Sequence, residues 1–410
     1  MVFIFDVDKL YSDRAGKMRK SVIRELLKVT QDPEIISFAG GLPNPRSFPI
    51  KDLEGCIQTV MEHHGETALQ YGTTQGLQQL REAIAERSYK ESIDINADDV
   101  VIFSGSQQAL DTVGKIFLNP GDMAICGLPT YLGGINAFRS YEANLTGIPL
   151  DEDGMQVDVL EDTIKKLISE DIQPKFVYVV PTFQNPAGVI MSESRRKKLI
   201  EIANDYDIVI VEDDPYSKLR YDVDSIKPIK AFDDIGCVIY ISTFSKILSP
   251  GFRLAWAIAS PEILRKMVIC KQALDLCTNT FTQFIANEFM RSGSLDLHIM
   301  KICELYKPKR DIMMSAMEKY FPKGYTCYMP KGGMFAWVTL AEGIDTEVMF
   351  LDAIKEKVAY VHGKAFHVDG GGERSMRLNF SYSTDQQLDE GMKRLGKVIE
   401  KKLEKREAVL

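Results

Sequence analysis

Six short, almost entirely apolar runs between residues 100 and 259 constrain the fold of this 410-residue chain more than any other feature. Such runs are typical of strands that helices cover on both faces, and helix-like segments separate most of them. The sequence therefore predicts an α/β protein with a mostly parallel central sheet. The runs are VVIF (100–103), MAIC (123–126), FVYVV (176–180), IVIV (208–211), VIYI (238–241) and LAWAIA (254–259).

Changes in composition along the chain predict three regions. In residues 1–50, an N-terminal arm, a basic amphipathic stretch (18–29) is followed by a Gly/Pro-rich stretch (38–49) that cannot continue a helix. Residues 51–295 contain the six apolar runs and form a large domain. Residues 296–410 combine long charged helices with the strand-like runs FAWVTL, VAYVHG and SMRLNFS, which predicts a smaller α+β domain.

Charge and cysteine content argue against several classes of protein. A formal net charge of −8 does not attract nucleic acid or an anionic membrane surface. The seven cysteines form no CxxC pair, which argues against a metal site and for a reducing, cytoplasmic environment. The opening MVFIFDVDKL does not have the pattern of a secretory signal. No apolar run approaches the roughly 20 residues that cross a bilayer, so we expect no membrane association.

The strongest chemical signal follows the run VIYI, where the sequence STFSK ends in Lys246 and Arg253 comes seven residues later. A lysine at a strand end, near hydroxyls and a second cation, can have its pKa lowered enough to attack an aldehyde as a neutral amine. The hydroxyls and Arg253 suit a phosphate dianion. Taken alone, such a lysine is more often a solvated surface residue. The residues that follow the neighbouring strands must therefore decide between a reactive lysine and a surface lysine.

Acidic residues follow the run IVIV, in the sequence EDDPY (212–216). A buried carboxylate at this position, such as Asp213, can keep a pyridine nitrogen protonated and so make the ring an electron sink. The alternative is a magnesium site beside a nucleotide. That alternative needs a phosphate-binding loop, but GxxxxGK[ST] and GxGxxG are both absent from the sequence.

Polar residues follow three of the other runs. Gly105, Ser106 and Gln107 open a helix-like segment after VVIF, whose first N–H groups can bind an anion or can simply be capped by serine. Asn185 follows FVYVV in a Pro-bounded turn and offers amide donors. Tyr131 follows MAIC and can stack on a flat ring or pack in the core.

One arginine of the C-terminal region is a further candidate. Arg377 alternates with apolar neighbours in SMRLNFS, so its guanidinium can point into a cleft and bind a substrate carboxylate. The alternative is an arginine on the solvent face of a strand.

Taken together, the chain resembles fold-type I aminotransferases that depend on pyridoxal 5'-phosphate (PLP). The resemblance is carried by six motifs in one order, GSQ, PTYLG, NPAG, EDDPY, TFSK and RLNFS. Within that family the chain is most similar to the subgroup of 2-aminoadipate, kynurenine and archaeal aromatic aminotransferases. The subgroup likeness is carried by VIRELLK, FAGGLPNPRSFP, LQYGTTQG and SPGFRLAW, and it extends from about residue 19 to 400.

The resemblance implies a role for each matching residue. Lys246 would be the Schiff-base lysine, Asp213 would bind the pyridine nitrogen, and Tyr131 would stack on the ring. Asn185 and Tyr216 would donate to the ring hydroxyl. Around the cofactor phosphate the resemblance places Gly105, Ser106, Gln107, Thr243, Ser245 and Arg253, with Tyr71 supplied by a second subunit.

The same resemblance implies a substrate site and a homodimer with shared active sites. Arg377 would bind the substrate α-carboxylate, with Asn185 beside it, while Arg24 and the turn at Gly40 and Gly41 would line the side-chain pocket. The arm would complete the small domain and this pocket, and residues 51–295 would form the PLP-binding domain.

The implied activity is ping-pong transfer of an amino group from an L-amino acid to a 2-oxo acid, with 2-oxoglutarate the expected acceptor. Arg24 predicts a dual choice of donor, because it can pair with the distal carboxylate of 2-aminoadipate or glutamate, or swing aside for an aromatic ring. One alternative is a PLP-dependent lyase of the same fold. Another is the effector domain of a transcription regulator, which would need an added DNA-binding domain.

Overall fold

The computed structural model describes residues 7–18 and 32–407. None of the helices in these two ranges is long and apolar enough to span a membrane. The α-helices are α1 (Asp13–Lys17), α2 (Ile50–Ala68), α3 (Gln78–Tyr89), α4 (Ser106–Phe117), α5 (Leu132–Arg139), α6 (Val157–Ser169), α7 (Glu193–Asp205), α8 (Pro261–Asp275), α9 (Thr280–Arg291), α10 (Ser294–Tyr320), α11 (Thr346–Lys355) and α12 (Asp385–Glu407). The strands are β1 (Ile36–Ser37), β2 (Val100–Phe103), β3 (Met123–Leu128), β4 (Asn144–Asp151), β5 (Gly154–Met155), β6 (Phe176–Val179), β7 (Val209–Asp213), β8 (Val238–Thr243), β9 (Ala255–Ile258), β10 (Thr326–Cys327), β11 (Phe335–Thr339), β12 (Val358–Ala359), β13 (Val361–His362) and β14 (Ser375–Asn379).

Eight of these strands form the central sheet, in the order β2-β9-β8-β7-β6-β3-β4-β5. The five strands from β8 to β4 are mutually parallel, whereas β9 is antiparallel to both of its neighbours. The prediction of an α/β fold with a mostly parallel sheet is therefore confirmed, and each of the six apolar runs forms a strand. The carboxyl ends of β6, β7 and β8 lie side by side, so the residues that follow them meet at one edge.

Helices cover both faces of the sheet, as the continuous apolar runs predict. Along β2, Val101 and Phe103 pack into one hydrophobic cluster and Val100 and Ile102 into another, and each of the four is at most 1% exposed. Since successive side chains of a strand point to opposite faces, both faces must be apolar. The strands therefore form a rigid support for the polar residues at their ends.

Strand β4 is not among the predicted runs. Its sequence, NLTGIPLD, mixes polar and apolar residues because it lies towards the edge of the sheet, between β3 and the two-residue β5. Ile148 is buried, but Asn144 is exposed. Half-covered strands do not show the continuous apolarity that identifies central ones.

The C-terminal region contains a second, antiparallel sheet, in the order β10-β11-β14-β13. The run VAYVHG divides into two parts, since β13 joins this sheet while β12 pairs in parallel with β1 of the arm. Much of the basic amphipathic stretch of the arm, residues 19–29, lies outside the described residues. The Gly/Pro-rich stretch is irregular and includes a single 3-10 turn (Pro45–Ser47).

Candidate functional site

A cleft of about 550 Å³ lies at the carboxyl ends of β6, β7 and β8, with β11, β14 and the arm on its other side. Helices α4 and α5 begin at its wall. The structure brings most of the predicted site residues together here. The predicted residues that line the cleft are Gly41, Ser106, Gln107, Tyr131, Asn185, Asp213, Tyr216, Thr243, Ser245, Lys246, Arg253 and Arg377.

Lys246 lies in the turn that follows β8 and is partly buried. Phe244 and Leu248 on either side of it are packed in the core, so the turn is anchored. The Nζ of Lys246 donates a hydrogen bond to the carbonyl of Gly41 at 2.8 Å. Burial, together with the positive charges of Arg377 and Arg253, lowers the pKa of Lys246 to about 8. A large fraction of this amine is therefore neutral, and so nucleophilic, only slightly above neutral pH.

Asp213 ends β7 and is 2% exposed. Its Oδ2 accepts a hydrogen bond from the hydroxyl of Tyr178 at 2.8 Å, while its Oδ1 has no partner among the described residues. Burial raises the pKa of Asp213 to about 7, against the opposing effect of the Tyr178 hydrogen bond. A donor that carries positive charge would offset this burial and keep the carboxylate ionised.

The acids on either side of Asp213 are occupied by protein donors. Both carboxylate oxygens of Glu212 accept backbone N–H groups from residues 229–230, at 2.8 Å each. Asp214 accepts the hydroxyl of Tyr240 at 2.9 Å. A cluster of free carboxylates suited to magnesium is thus not formed by this acidic sequence, and Asp213 is the acid that lines the cleft.

The start of α4 and the side chain of Arg253 form an anion-binding corner. Gly105 precedes the helix at φ 93°, and a β-carbon there would overlap the guanidinium of Arg253. Arg253 itself has a left-handed backbone (φ 53°), a conformation that costs a non-glycine residue about 1 kcal/mol and is typical of functional sites. Helix N-terminal N–H groups and an arginine both favour a phosphate.

Two hydroxyls complete this corner. The N–H of Ser245 donates to Thr243 Oγ1 at 3.1 Å, and the Thr243 hydroxyl donates to the carbonyl of Leu254 at 2.9 Å. These bonds hold the turn before Lys246 in one shape, with both hydroxyl side chains lining the cleft.

Asn185, Tyr216 and Arg377 are joined by hydrogen bonds across the cleft. Arg377 Nη1 donates to Asn185 Oδ1 at 3.0 Å, and Asn185 Nδ2 donates to the Tyr216 hydroxyl at 3.1 Å. Arg377 Nη2 donates to the carbonyl of Ala39 at 2.7 Å, while its Nε lacks a partner in the part of the chain that the structure describes.

Aromatic rings hold Arg377 in place. Its guanidinium lies 4.3 Å from the ring centre of Phe335 and 5.1 Å from that of Phe366. Burial lowers the pKa of Arg377 to about 10, so it remains charged at neutral pH. A planar cation held between rings suits a carboxylate that approaches from the cleft.

Tyr131 and Gln107 share one wall of the cleft. Gln107 Nε2 donates to the carbonyl of Gly133 at 2.9 Å. A β-carbon at residue 133 would overlap both the Tyr131 ring and the Gln107 side chain. Glycine at this position therefore lets the tyrosine ring lie against α5, where its face is available to a flat ligand.

Of the predicted site residues that the structure describes, Gly40, Gly105 and Tyr71 do not line the cleft. Gly40 precedes Gly41 in the arm but does not itself line the cleft. Tyr71 is 79% exposed and lines a separate surface pocket with Thr280 and Phe284. Arg24 lies outside the described residues.

Tyr178 and Phe335, which contact Asp213 and Arg377, were missed by the sequence analysis. Tyr178 is part of the run FVYVV and Phe335 begins FAWVTL, so both were counted as ordinary strand residues. The signal that could have found Tyr178 is its hydroxyl, which a strand covered on both faces can only bury with a polar partner.

In chemical terms, the cleft offers a nucleophilic amine, an anion-binding corner, a carboxylate with a free oxygen and a flat aromatic wall. On the opposite side it offers an arginine suited to a carboxylate. Two buried polar atoms of these side chains, Asp213 Oδ1 and Arg377 Nε, have no hydrogen-bond partner among the described residues. A ligand with a phosphate, a basic ring nitrogen and a carbonyl would match the first set.

Comparisons with known proteins agree with this chemistry. The family model of aminotransferase class I and II matches residues 46–395. The chain is 49% identical to aromatic-amino-acid aminotransferase 1 of Thermococcus litoralis, over 98% of this chain and 96% of that protein. It is 38% identical to 2-aminoadipate transaminase of Thermus thermophilus, over 94% and 95% of the two chains. The crystal structure of kynurenine aminotransferase from Pyrococcus horikoshii, in complex with PMP, is 49% identical and superposes with a TM-score of 0.95, covering 97% of this chain and 99% of that one.

The lowered pKa of Lys246 predicts how its reactivity depends on pH. We expect its rate of reaction with a small aldehyde to rise up to about pH 8 and then level off, because the amine is mostly neutral above its pKa. Lys357 is the internal control, since hydrogen bonds to Asp32 and Glu34 raise its pKa and its reaction should need higher pH. Borohydride trapping followed by peptide mass spectrometry measures both sites in one sample.

The Arg377→Met variant tests what lowers the pKa of Lys246. Removing this cation should move the midpoint for Lys246 to higher pH, because the charge of Arg377 helps to lower the lysine pKa. Identical pH profiles for Lys246 and Lys357 in the parent protein would contradict the assignment.

Proposed function

The chain belongs to the aminotransferase class I and II family and is a PLP-dependent transaminase that acts on an amino acid and a 2-oxo acid, and on that premise we propose that the cleft around Lys246 is where the amino group is transferred. The observation that carries this proposal is that Lys246, Asp213 and Arg377 all line one cleft. The pKa of each is shifted towards its neutral form, to about 8 for the lysine, about 7 for the acid and about 10 for the arginine.

The described residues fit PLP. The unpartnered Oδ1 of Asp213 suits the protonated ring nitrogen, and the space beside Tyr131 suits the ring face. Asn185 and Tyr216 would donate to the ring hydroxyl. The residues that would hold the phosphate are Gly105, Ser106, Gln107, Thr243, Ser245 and Arg253.

When bound, PLP supplies an aldehyde that takes up the amino group and a ring that accepts the electrons left on the α-carbon. Lys246 would hold the cofactor through Nζ, and its free amine would move a proton from the α-carbon of the substrate. Its pKa of about 8 suits this task, because the amine is both a competent base and partly neutral near pH 7. Asp213 would stabilise the positive charge on the ring nitrogen.

Arg377 would bind the substrate α-carboxylate. Its guanidinium is held by hydrogen bonds to Asn185 and the carbonyl of Ala39, and its Nε has no partner within the described ranges. A carboxylate at this position fixes the α-carbon relative to Lys246, so that one α-carbon bond is selected for cleavage.

We also propose that the donors are 2-aminoadipate or glutamate and aromatic amino acids, with 2-oxoglutarate as an acceptor. The support is that relatives at 38% and 49% identity are named for 2-aminoadipate and for aromatic amino acids, together with the sequence position of Arg24. One arginine serves both classes if it pairs with a distal carboxylate or moves aside for a ring.

The visible spectrum of the protein supplied with PLP tests the activity directly. We expect a coloured protein whose absorption band bleaches on addition of glutamate, 2-aminoadipate or phenylalanine and returns on addition of 2-oxoglutarate, because the two half-reactions are separable in ping-pong chemistry. Lys246→Ala is the control and should neither bleach nor recover at a comparable rate. A band that changes with donors but never returns with an oxo acid would indicate a lyase instead.

Arg24→Ala tests the proposed choice of donor. We expect kcat/KM for 2-aminoadipate to fall by about tenfold or more, the scale of one lost charge-assisted hydrogen bond, while kcat/KM for phenylalanine changes little. Arg46→Ala, an exposed arginine of the same arm, is the matched control and should leave the ratio of the two unchanged. Equal losses for both donors would refute a selective carboxylate role for Arg24.

We further propose a homodimer in which Tyr71 completes the phosphate site of the partner subunit. Tyr71 is 79% exposed and does not line the cleft of its own chain, and the neighbouring Leu69 is also exposed. Exposed apolar and aromatic groups of this kind are typical of interfaces.

We also propose a cytoplasmic location, because all seven cysteines are free.

Mixing two inactive variants tests whether the active sites are shared. A dimer that contains one Lys246→Ala chain and one Tyr71→Ala chain has one intact site if Tyr71 acts across the interface. Random reassociation should then restore about a quarter of the parental activity, because half of the dimers are mixed and each has one intact site. Absence of recovery, with mixed dimers demonstrated by mass spectrometry, would show that Tyr71 acts within its own chain.

A further inference from the structure

Asp213 and Asp214 are adjacent carboxylates, and each is bonded by a tyrosine from a neighbouring strand. Tyr178 of β6 donates to Asp213 Oδ2 at 2.8 Å, and Tyr240 of β8 donates to Asp214 Oδ2 at 2.9 Å. Both tyrosines are nearly inaccessible, at 1% and 2% exposure. The two pairs are therefore chemically alike and lie on opposite sides of β7.

The second carboxylate oxygen distinguishes the pairs. Asp214 Oδ1 accepts the backbone N–H of Ser217 at 3.2 Å, so both of its oxygens are bonded. Asp213 Oδ1 has no partner among residues 7–18 and 32–407, and Asp213 lines the cleft. Because a buried carboxylate oxygen without a donor is costly, its position must be imposed by the bond on the other oxygen.

The ring of Tyr178 is itself held in a closely fitted space. It packs edge-on against Phe138, with ring centres 5.3 Å apart. On α5, Gly134 faces the ring, and a β-carbon there would lie 2.7 Å from Tyr178 Cε1 and 3.1 Å from the hydroxyl oxygen. Contacts this short cannot be accommodated without moving the ring. An alanine at residue 134 would therefore displace the tyrosine.

We propose that Tyr178 is a positioning residue of this site: its hydroxyl anchors one oxygen of Asp213 so that the other is presented to the ligand, and Gly134 provides the room that the phenol ring requires. This inference rests on the proposed function only for the identity of the ligand, which is the ring nitrogen of PLP. The anchoring itself is a property of the chain.

The electrostatics of Asp213 agree with this role. Burial raises its pKa, the Tyr178 hydrogen bond lowers it, and the charge of Asp214 raises it. Tyr131 and Tyr216 also face the carboxyl group, and Lys246 and Arg377 line the same cleft. Loss of the Tyr178 hydroxyl removes a contribution that favours the ionised form, so the pKa of Asp213 should rise further.

The test is infrared difference spectroscopy of the full-length protein freed of PLP, titrated from pH 5 to 9. The carbonyl stretch that disappears in Asp213→Asn reports protonation of Asp213. In Tyr178→Phe we expect its midpoint to rise by about one pH unit, the size expected for a hydrogen bond to a charged group. The dissociation constant for PLP, measured by quenching of intrinsic fluorescence, should increase by about tenfold for the same reason.

Tyr240→Phe is the matched control. It also removes a buried tyrosine hydroxyl from a carboxylate beside β7, but that carboxylate does not line the cleft. We expect the Asp213 midpoint and the PLP dissociation constant to stay at their parental values. Equal shifts in Tyr178→Phe and Tyr240→Phe, or no shift in Tyr178→Phe, would overturn the proposal.

Gly134→Ala tests the same proposal without substituting either Tyr178 or Asp213. It should raise the Asp213 midpoint in the parent but add nothing in a Tyr178→Phe background, because its effect is transmitted through the hydroxyl. Additive shifts would refute the link between Gly134 and Tyr178. These measurements need no amino acid substrate, so they are independent of the transaminase proposal. Failure of that proposal would instead appear as a visible spectrum that amino acid donors do not change, whatever the Asp213 midpoint is.

Discussion

The rest of the structure depends on one constraint, which is that three ionisable side chains must be kept out of water in one cleft. Asp213 and Arg377 are at most 2% exposed and Lys246 is partly buried. Each has its pKa shifted towards the neutral form, to about 7 for the acid, about 8 for the lysine and about 10 for the arginine. Burying charge with incomplete pairing costs several kcal/mol per group as an approximate scale. The fold must supply this energy elsewhere, and a ligand of complementary charge would recover part of it.

The packed parallel sheet offsets this energetic cost, and it holds the residues at the strand ends in rigid turns. One example is Arg196 on α7, which is fully buried and donates to the carbonyls of Met191 and Pro181 at 2.9 and 3.0 Å. These two carbonyls bracket the turn that carries Asn185, so a charge far from the cleft fixes a residue within it. A turn held in this way loses little entropy when a ligand binds, and the same is true of the anchored turn before Lys246. Catalytic groups held in place beforehand need no rearrangement as charge develops.

How much of this could be predicted from sequence differs between elements for physical reasons. The central strands were predictable because burial on both faces leaves continuous apolar runs, and the polar residues after them were predictable because parallel strands end together. Strand β4 was not predicted, since a strand covered on one side alone has a mixed pattern. The role of Tyr178 was also missed, because a tyrosine in an apolar run does not reveal whether its hydroxyl meets a carboxylate or a backbone group. Nor could sequence show that the carboxylates of Glu212 and Asp214 already accept hydrogen bonds from the protein, because their partners are distant in the chain.

The arm shows why the two halves of the cleft behave as one unit. The carbonyl of Ala39 accepts from Arg377, and two residues later the carbonyl of Gly41 accepts from Lys246. The flanking carbonyls of Phe38 and Leu42 accept from Asn379 and Ser381, at and just beyond the end of β14. One short segment of backbone is thus bonded both to the turn after β8 and to the residues of and after β14. Any displacement of this segment must change the surroundings of the amine and of the arginine together. The amine and the arginine, which line the same cleft, therefore share a single support.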